Sequence, residues 1–417
     1  MRLSAATLAI IFVFNSACAQ AEGMKPKGMV WIPLCSKRVA QRFIAGREGE
    51  ARAFTNIQVF VPDVRLQPPA QNQAAATPYF IETPASIACV YGLVPRQNGC
   101  KPAAVNVNAS GGGRVIAIVD AYDAPKIKED LVTFSDRFGL PAPSFDVVYA
   151  SNHQPANDKG WEIEISLDVE WAHAMAPQAK IILVEAEDNQ YSNLFAAVDK
   201  ASSLVAAAGG GQVSLSWGGS EFGSQLGFDS HFAKPPGVVY LAASGDDPGV
   251  SYPATSQAVI AVGGTSIDRD STGTLIGETP WTSEGAGPSL FEALPTYQNS
   301  MGLNPGMRRA IVDVAAIADP SNGGVWVYDS SNSNAAQNNG WLAVGGTSAA
   351  TPIVAGIINN AGRFASNTGD ELSYMYAHMP SFNDIKTGTC GPVASYTATT
   401  GWDYCTGVGT PNGKGGL

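Results

Sequence analysis

Near its C-terminal end the chain reads Gly345-Gly346-Thr347-Ser348-Ala349-Ala350-Thr351-Pro352 and continues with the apolar run Ile353-Val354-Ala355-Gly356-Ile357-Ile358. The pattern predicts a helix of small and apolar residues that begins just after the glycines. A serine on such a turn presents its hydroxyl as a nucleophile. The helix N-terminus also places backbone N–H groups where an oxyanion would form. The segment therefore indicates a serine nucleophile at the start of a helix.

The histidines do not supply an obvious base for Ser348. The segment looks like the nucleophile motif of subtilisin-like proteases, which activate their serine with a His in a His-Gly-Thr-His type motif. None of the four histidines of this chain stands in such a context; they are His153, His173, His231 and His378. Another group must therefore take the proton from Ser348.

The composition is typical of a compact, loop-rich extracellular protein. The chain has 417 residues, which suits one large α/β domain plus an extra segment. It contains 45 glycines, and only 15% of its residues are charged. The net charge of −11 and the lack of a basic stripe argue against nucleic acid as a partner. An acidic balance is compatible with work at low pH, although many proteins are mildly acidic.

Residues 1–21 are typical of a secretory signal peptide. A short charged start precedes an apolar stretch from Leu3 to Phe14, and small residues in an Ala-x-Ala pattern follow as far as Ala21. The stretch is too short for a stable transmembrane span, and no second apolar run reaches membrane length. Cys18 raises the alternative of lipid attachment, but Asn15 stands where a branched aliphatic residue is expected. We expect a secreted protein, extracellular or periplasmic, without a membrane span.

The remaining cysteines favour two local disulfides. In an exported protein, cysteines that are close in sequence are read as disulfides. The natural pairs are Cys89–Cys100 and Cys390–Cys405, which leaves Cys35 over. A zinc site is not expected, because the chain contains no Cys-x-x-Cys.

Three parts are expected along the chain. The signal peptide is followed by a pro-segment and linker over residues 22–79, which contain the apolar stretch Ile57–Val61 and the Pro/Gln/Ala-rich segment Gln67–Pro78. Residues 80–417 have a different character and are expected to form the functional domain.

Short apolar strands alternate with helices in that domain. Helices are predicted over Ile127–Phe138, Glu162–Met175 and Ser192–Ala208. Strands are predicted over Arg114–Val119, Lys180–Val184, Val213–Ser216, Val238–Ala243 and Ala258–Val262. The alternation predicts an α/β fold with a mainly parallel central sheet and helices on both faces. Ligands of such folds bind outside the carboxyl ends of the strands.

Glu164 and Asp168 are a carboxyl pair four residues apart. On a helix they share one face, with about 5–6 Å between their Cβ atoms. One interpretation is an acidic, solvated helix face. The alternative is a buried pair, because Ile163, Ile165 and Leu167 interleave with it. In a buried pair one proton is shared and one pKa rises, and such a carboxylate can act as the base toward Ser348.

A third acidic position lies in Ser244-Gly245-Asp246. Subtilisin-like proteases carry an oxyanion-stabilising Asn after a comparable strand. An ionised Asp246 would repel an oxyanion, whereas a protonated one can donate a hydrogen bond to it. The alternative interpretation is an Asx turn before Pro248.

Together these segments resemble the sedolisin family of serine-carboxyl peptidases, which keeps a subtilisin-like fold and uses a Ser-Glu-Asp triad. The resemblance covers roughly residues 80–413, with all motifs in family order. The matching motifs are Glu164-Ile165-Ser166-Leu167-Asp168, Ala174-Met175-Ala176-Pro177, Ser244-Gly245-Asp246, Tyr252-Pro253-Ala254, Val262-Gly263-Gly264-Thr265 and Gly346-Thr347-Ser348.

The resemblance implies a role for each matched residue. Ser348 is the nucleophile, Glu164 the general base and Asp168 the residue that orients Glu164. Asp246 and the Ser348 N–H form the oxyanion hole. Trp217 and Gly218 lie in a segment that resembles the strand pairing with the substrate backbone, although Trp217 also suits the core. The sequence leaves two interpretations of Asp120 open. It either extends the acid network toward Asp168 or caps the next helix.

The resemblance also implies one structural calcium ion near the C-terminus. Its ligands would be the side chains of Asp384 and Asp403 and the carbonyl oxygens of Ile385, Thr399 and Gly401. Thr399 stands where family members often have Gly. The alternative is a turn held by the Cys390–Cys405 disulfide without a metal.

The function that follows is a secreted serine-type endopeptidase of the serine-carboxyl class, most active at acid pH, with residues 80–417 as the peptidase domain. Protein or peptide substrates and its own pro-segment are the expected partners, and we expect a monomer. Only about sixty residues lie between the predicted signal peptide and the domain, whereas the family usually carries a long folded pro-domain. The alternatives are an inactive binding module on a protease scaffold, a tripeptidyl exopeptidase, or a serine hydrolase acting on esters.

Overall fold

The computed structural model describes residues 29–32, 48–62, 68, 80–103, 107–302, 307–322, 324–331, 339–391 and 395–417. The predicted signal peptide, Cys35 and most of the predicted linker lie outside the described residues. The helices are α1 Pro84–Val90, α2 Ile127–Phe138, α3 Lys159–Met175, α4 Tyr191–Ala207, α5 Thr347–Ala361 and α6 Thr368–Ala377. The strands are β1 Met29–Ile32, β2 Phe54–Thr55, β3 Gln58–Pro62, β4 Val115–Ala121, β5 Ser144–Tyr149, β6 Lys180–Ala186, β7 Gly211–Leu215, β8 Trp217–Ser220, β9 Val238–Ala243, β10 Ser251–Tyr252, β11 Ile260–Arg269, β12 Leu275–Pro280, β13 Gly287–Ala293, β14 Arg308–Ile311, β15 Val314–Ile317, β16 Val325–Tyr328, β17 Trp341–Gly345, β18 Thr389–Cys390 and β19 Tyr396–Thr397.

The central sheet has eight strands in the order β12-β11-β9-β7-β4-β6-β5, with β15 paired to β11. Its pairs are parallel except for β11 with β12. Parallel strands of this kind need crossover connections, which α2, α3 and α4 help to provide. The prediction of an α/β fold with a mainly parallel sheet is confirmed.

Helices cover both faces of this sheet, as the residues of β4 show. All seven residues of β4 are buried. Successive side chains of a strand point to opposite faces. Ile116 and Ile118 therefore pack into the cluster that contains residues of α2, α3 and α5, whereas Ala117 and Val119 pack into the cluster that contains α4. Burial on both faces explains why β4 reads as an unbroken apolar run.

Some of the predicted bounds of helices and strands agree with the structure, and others differ from it. Helix α2 covers the predicted range Ile127–Phe138. Helix α3 begins three residues earlier than predicted, because Asp158 caps it by accepting the N–H groups of Gly160 and Trp161. Strand β11 continues beyond the predicted Val262, because its second half pairs with both β12 and β15.

Residues 48–62, which were assigned to the pro-segment, pack against the rest of the chain. Strand β3 joins a four-stranded sheet in the order β1-β3-β17-β16, and β2 joins a three-stranded sheet in the order β10-β8-β2. Ile57, Val59 and Phe60 are buried in these positions. The segment therefore pairs with β8 through β2 and with β17 through β3, and β17 leads directly into α5.

Both predicted local disulfides are present. Cys89–Cys100 and Cys390–Cys405 have Cα separations of 5.4 Å and 5.6 Å, inside the usual range for a disulfide. Within the described part of the chain, every helix falls short of the length and apolar character that a membrane span requires.

Candidate active site

Ser348 lies in the first turn of α5, which begins directly after Gly346. Gly346 has a φ of 109°, a conformation that residues with a Cβ rarely adopt, and a Cβ there would overlap the Asn56 carbonyl oxygen. The Ser348 side chain is fully buried. Its Oγ donates to the Ser216 carbonyl oxygen at 3.0 Å and accepts the Asn56 N–H at 3.2 Å. The glycine therefore lets the chain turn tightly enough to bring this hydroxyl between two backbones.

Ser216 connects the turn of Ser348 to helix α3. Pro352 lies inside α5 and has no N–H, so it cannot donate to the Ser348 carbonyl oxygen four residues before it. Ser216 Oγ lies 3.4 Å from that oxygen and donates to Asp168 Oδ1 at 2.8 Å. The hydroxyl of Ser216 thus holds the carboxyl group of Asp168 against the turn.

Glu164 and Asp168 lie on one face of α3, which packs against α5. Both side chains are fully buried, so the alternative of a solvated acidic helix face is wrong. Asp168 accepts the Ser216 hydroxyl. Within the described part of the chain, neither oxygen of Glu164 has a hydrogen-bond partner of its own. The Ser348 hydroxyl donates to the Ser216 carbonyl oxygen, so it would have to rotate to donate to Glu164.

Burial raises the pKa of both carboxyl groups of the pair well above its usual range. For Glu164, burial is the largest cause, and the charges of Asp168 and Asp120 raise the pKa further. The nearby Ser348 hydroxyl opposes this by favouring the charged form. For Asp168, burial again acts first and Asp120 second, while the Ser216 hydroxyl lowers the pKa. The cluster therefore holds at least one proton over a wide range of pH.

Asp120 belongs to this cluster. It lies in β4, is fully buried, and neither of its carboxyl oxygens has a hydrogen-bond partner among the described residues. Burial raises its pKa to about 8. The N-cap position of α2 is Lys126, so the interpretation of Asp120 as a helix cap is wrong. Its charge raises the pKa values of Glu164 and Asp168, which favours the interpretation that Asp120 extends the acid network.

The buried carboxyl groups predict a protein that is most stable in acid. The pKa values of Asp130, Glu292, Asp120 and Glu185 are raised, chiefly by burial, to about 6, 7, 8 and 9. Each folded value exceeds the unfolded value of roughly 4, so folding takes up protons. The stabilisation is complete below about pH 4 and is lost as pH rises through these folded values. We expect a higher midpoint of thermal unfolding at pH 4 than at pH 8, measured by circular dichroism at constant ionic strength.

Glu185→Gln is the matched variant for this prediction. Glutamine keeps an oxygen that can accept the Ala124 N–H, which Glu185 accepts at 3.1 Å, but it does not titrate. The variant should lose less stability than the wild type between pH 7 and pH 9. A midpoint that rises from pH 4 to pH 8 would contradict the prediction.

Asp246 follows β9 and lies against the start of α5. Its Oδ1 accepts the Thr347 N–H at 2.8 Å and the Thr347 hydroxyl at 3.0 Å. Its Oδ2 faces Gly346, close to the position that a Cβ on that glycine would take. These bonds to Thr347 hold Asp246 in place. Pro248 has no N–H to close an Asx turn.

The chain itself occupies the cleft beside Ser348. Strand β2 pairs antiparallel with β8, with Phe54 opposite Gly218 and Thr55 opposite Trp217. The Asn56 N–H lies 3.3 Å from the Ser216 carbonyl oxygen, and the Asn56 carbonyl oxygen accepts the Ser348 N–H at 3.1 Å. The apolar stretch Ile57–Val61 was the only local sign of a strand here, and it did not indicate where that strand lies.

The side chain of Trp217 fits the interpretation as a core residue, and its backbone fits the interpretation as part of a pairing strand. Its side chain is fully buried among aromatic rings that include Tyr191 and Phe195, and its Nε1 donates to the Val119 carbonyl oxygen at 2.8 Å. Its backbone faces the cleft and pairs with Thr55. The side chain is therefore core, and the backbone is available for strand pairing.

The two carboxyl groups that were predicted to bind calcium accept backbone N–H groups of the C-terminal loop. The Gly401 N–H donates to both oxygens of Asp384, at 3.1 and 3.2 Å, and the Thr399 N–H donates to Asp403 Oδ2 at 3.0 Å. Among the described residues, no N–H or hydroxyl donates to the carbonyl oxygens of Ile385, Thr399 or Gly401. Two carboxyl groups and three carbonyl oxygens on one loop are hard ligands of the kind that Ca²⁺ prefers.

The chain matches a model of a known protein family. The model of the subtilase family matches residues 150–369, which is more than half of the chain. The matched range contains Glu164, Asp168, Asp246 and Ser348.

Kumamolisin and sedolisin are two of the curated proteins to which this chain is similar. Kumamolisin from Bacillus sp. (strain MN-32) is 31% identical over 345 residues, which cover 73% of this chain and 59% of kumamolisin. Sedolisin from Pseudomonas sp. (strain 101) is 34% identical over 178 residues, which cover 39% of this chain and 28% of that protein. The chain thus spans less than two thirds of the length of either relative.

A solved structure has the same fold. It is that of Pseudomonas sedolisin, a serine-carboxyl proteinase, complexed with two molecules of pseudo-iodotyrostatin. The TM-score is 0.65 at 23% sequence identity, and the match covers 80% of this chain and 95% of the other.

Proposed function

This chain belongs to the sedolisin family, the serine-carboxyl peptidases of the subtilase fold, and from that premise we propose that it hydrolyses internal peptide bonds through an acyl-enzyme on Ser348. The arrangement around Ser348 carries the proposal. Its Oγ and its N–H both contact the backbone of one residue, Asn56. The buried carboxyl groups of Glu164 and Asp168 lie beside it.

The proposed steps use only groups of this chain. Ser348 Oγ attacks the carbonyl carbon of the substrate while Glu164 takes its proton. Asp168, held by Ser216, orients Glu164 and keeps the second proton of the pair. The Ser348 N–H and a protonated Asp246 donate to the oxyanion. Glu164 then protonates the leaving amine, and water hydrolyses the acyl-enzyme by the same steps in reverse.

The protonation states that these steps need in Glu164 and Asp246 bear on the pH of the reaction. Glu164 must be ionised to act as a base, whereas Asp246 must hold a proton to donate. Both requirements are met only while the carboxyl cluster is partly protonated. Because burial and the charges of Asp168 and Asp120 raise the pKa of Glu164, an ionised Glu164 requires these two neighbours to keep their protons. We propose activity on the acid side of neutrality because of the proton that Asp246 needs.

The path of residues 48–62 favours an endopeptidase over a tripeptidyl exopeptidase. A tripeptidyl site must close beyond the third residue before the cleaved bond. In the chain itself, the Asn56 carbonyl oxygen accepts the Ser348 N–H, so Asn56 marks the first position of such a count. Ala53, at the fourth position, donates to the Asn189 carbonyl oxygen at 2.8 Å, and Arg52, at the fifth, donates to Asn189 Oδ1 at 2.7 Å. These contacts support a site that accepts a chain continuing in both directions.

Activity on denatured casein and on small esters, measured from pH 3 to pH 8 for the wild type and Ser348→Ala, tests the proposed function. We expect casein hydrolysis in acid that the variant lacks. Equal hydrolysis by both proteins would exclude Ser348 as nucleophile. Ester cleavage without casein cleavage would favour the esterase alternative, and no turnover of either substrate would favour the binding module.

We propose that the protein is secreted. The signal-peptide pattern of residues 1–21 supports this, and so do the two disulfides, because disulfides persist in oxidising compartments.

A calcium ion is proposed to bind the C-terminal loop through Asp384, Asp403 and the carbonyl oxygens of Ile385, Thr399 and Gly401. The ion would neutralise the two carboxyl groups and tie the loop together. Calcium at 100 times its Kd should stabilise the folded state by about 2.7 kcal/mol, or about 2–4 °C in the unfolding midpoint.

Thermal unfolding with calcium and with EGTA measures this effect. Asp384→Ala should have a midpoint that calcium does not change, whereas Asp370→Asn, an exposed position on α6, should respond like the wild type. A wild-type midpoint that is the same in calcium and in EGTA would contradict the proposal.

A further inference from the structure

We infer that the turn after β4 and the loop between β6 and α4 form a subsite for a basic side chain, preferably arginine, at the fifth residue before the cleaved bond of a substrate. The subsite consists of Tyr122, Asp188 and Asn189. In this structure the side chain of Arg52 occupies it. The inference rests on the proposed peptidase function and names one part of its substrate preference.

Backbone contacts on two edges fix the register of a chain in the cleft. Strand β8 pairs with residues 54–55 on one edge. On the other edge, Arg52 forms an antiparallel bridge with the residue before α4, and the Ala53 N–H donates to the Asn189 carbonyl oxygen at 2.8 Å. These contacts are open to any sequence. Counted back with Asn56 as the first residue, the fifth side chain therefore lies against Asn189.

The side chain of Asn189 turns its oxygen toward this fifth side chain. Its Nδ2 donates to the Ala53 carbonyl oxygen at 2.8 Å, which leaves Oδ1 to face Arg52. That oxygen accepts Arg52 Nη1 at 2.7 Å and the Tyr122 hydroxyl at 3.2 Å. Because the Tyr122 proton is used in this bond, Tyr122 Oη presents a lone pair to Arg52 Nη1, 3.3 Å away. Two oxygens thus converge on one N–H₂ group, an arrangement that suits a guanidinium.

The fold holds both of these side chains in place. Asn189 is only 8% exposed. Tyr122 has a φ of 67°, which is uncommon for a residue other than glycine, and such conformations cluster at ligand-binding positions. Its N–H donates to the Ala186 carbonyl oxygen at 2.9 Å. Since β4 and β6 are parallel neighbours, both parts of the subsite lie at the carboxyl edge of the sheet.

Asp188 adds a negative charge beside these oxygens. Its Oδ1 accepts the Gln190 N–H at 2.8 Å and Asn193 Nδ2 at 2.7 Å. Partial burial acts to raise the pKa of Asp188, but these hydrogen bonds and the charge of Arg52 hold it below its ordinary value. Asp188 therefore stays mostly ionised at pH 4. The subsite attracts a cationic side chain there and disfavours an acidic one.

Cleavage of a denatured mixture of proteins of known sequence at pH 4 tests this inference. Mass spectrometry of the products identifies the fifth residue before every cleaved bond. Arginine should occur there about three times as often as in the mixture, lysine less often than arginine but above its background, and Asp and Glu below theirs. The expected enrichment is moderate because Arg52 is exposed in the subsite.

The best-cleaved peptide, synthesised with Arg, Ala or Glu at that position, gives the same comparison as kcat/KM. We expect a value about fivefold higher for Arg than for Ala. Asp188→Asn and Tyr122→Phe should each lower this ratio. Asp199→Asn removes an equal charge elsewhere on α4, where Asp199 contacts His231, and should keep it. Each ratio is measured within one preparation, so the amount of active enzyme and the occupancy of the cleft by the chain's own segment cancel.

Each other outcome overturns a stated part. Background frequencies at the fifth position, an Arg-to-Ala ratio of one, or a ratio that neither Asp188→Asn nor Tyr122→Phe lowers would overturn the inference and leave the proposed function standing. A ratio that falls as far in Asp199→Asn would assign the preference to the overall charge of the enzyme and overturn the subsite. A wild type that cleaves no protein of the mixture would overturn the proposed function and the inference together.

Discussion

Glu164→Gln is expected to lower kcat/KM on a denatured protein by about ten thousand-fold or more, at every pH where the wild type is active. Glutamine has the shape of glutamate but cannot take the proton of Ser348. The fold should persist, because a neutral amide removes the cost of a buried charge that raises the Glu164 pKa. Steady-state kinetics and the thermal unfolding midpoint, measured on the same preparation, check both parts.

Glu170→Gln is the matched control for Glu164→Gln. Glu170 lies on the same helix, is equally buried, and also has a pKa raised chiefly by burial. Its Oε2 accepts the Tyr328 N–H at 3.1 Å, which places it away from Ser348. We expect wild-type kinetics for this variant. Activity of Glu164→Gln within tenfold of the wild type would exclude Glu164 as the base.

Asp246→Asn is expected to carry activity to higher pH, whereas Asp246→Ala should lose about a hundred- to thousand-fold in kcat. Asparagine keeps an oxygen to accept the Thr347 N–H and hydroxyl, as Asp246 Oδ1 does. It also places an N–H₂ group where Oδ2 faces Gly346. That group donates at any pH, whereas the carboxyl group donates only while it holds a proton.

The pH–rate profile from pH 3 to pH 9 separates these possibilities. The wild-type rate should fall as Asp246 loses its proton, and this fall should move to higher pH or vanish in Asp246→Asn. Asp247→Asn changes the exposed neighbouring residue and should leave the profile unchanged. A fall at the same pH in the wild type and in Asp246→Asn would show that Asp246 does not set it.

Features that depend on neighbours along the chain could be predicted from the sequence. The four-residue spacing of Glu164 and Asp168 places them together on α3, and the interleaved isoleucines and leucine anticipate their burial. The glycines before Ser348 predict the turn at the start of α5. Helix α3 begins earlier than predicted only because Asp158 caps it.

Features that depend on pairing between distant segments could not be predicted. Phe54 meets Gly218, and Asn56 meets Ser348 across 292 residues of sequence. Nothing local in Ile57–Val61 says which strands it joins. Asp120 shows the same limit. A strand-end aspartate suits a helix cap or an acid network equally, and only the position of β4 beside α3 decides between them.

In the proposed mechanism, a buried carboxyl group activates the serine in place of a histidine. A serine-directed acylating probe at pH 4, followed by intact mass and peptide mapping, gives the sharpest test when the wild type, Glu164→Gln and Ser348→Ala are prepared with the same N-terminus. We expect one adduct, on Ser348, which forms rapidly in the wild type, far more slowly in Glu164→Gln and not in Ser348→Ala. An adduct on another residue, or equal labelling rates in the wild type and Glu164→Gln, would contradict the proposed mechanism.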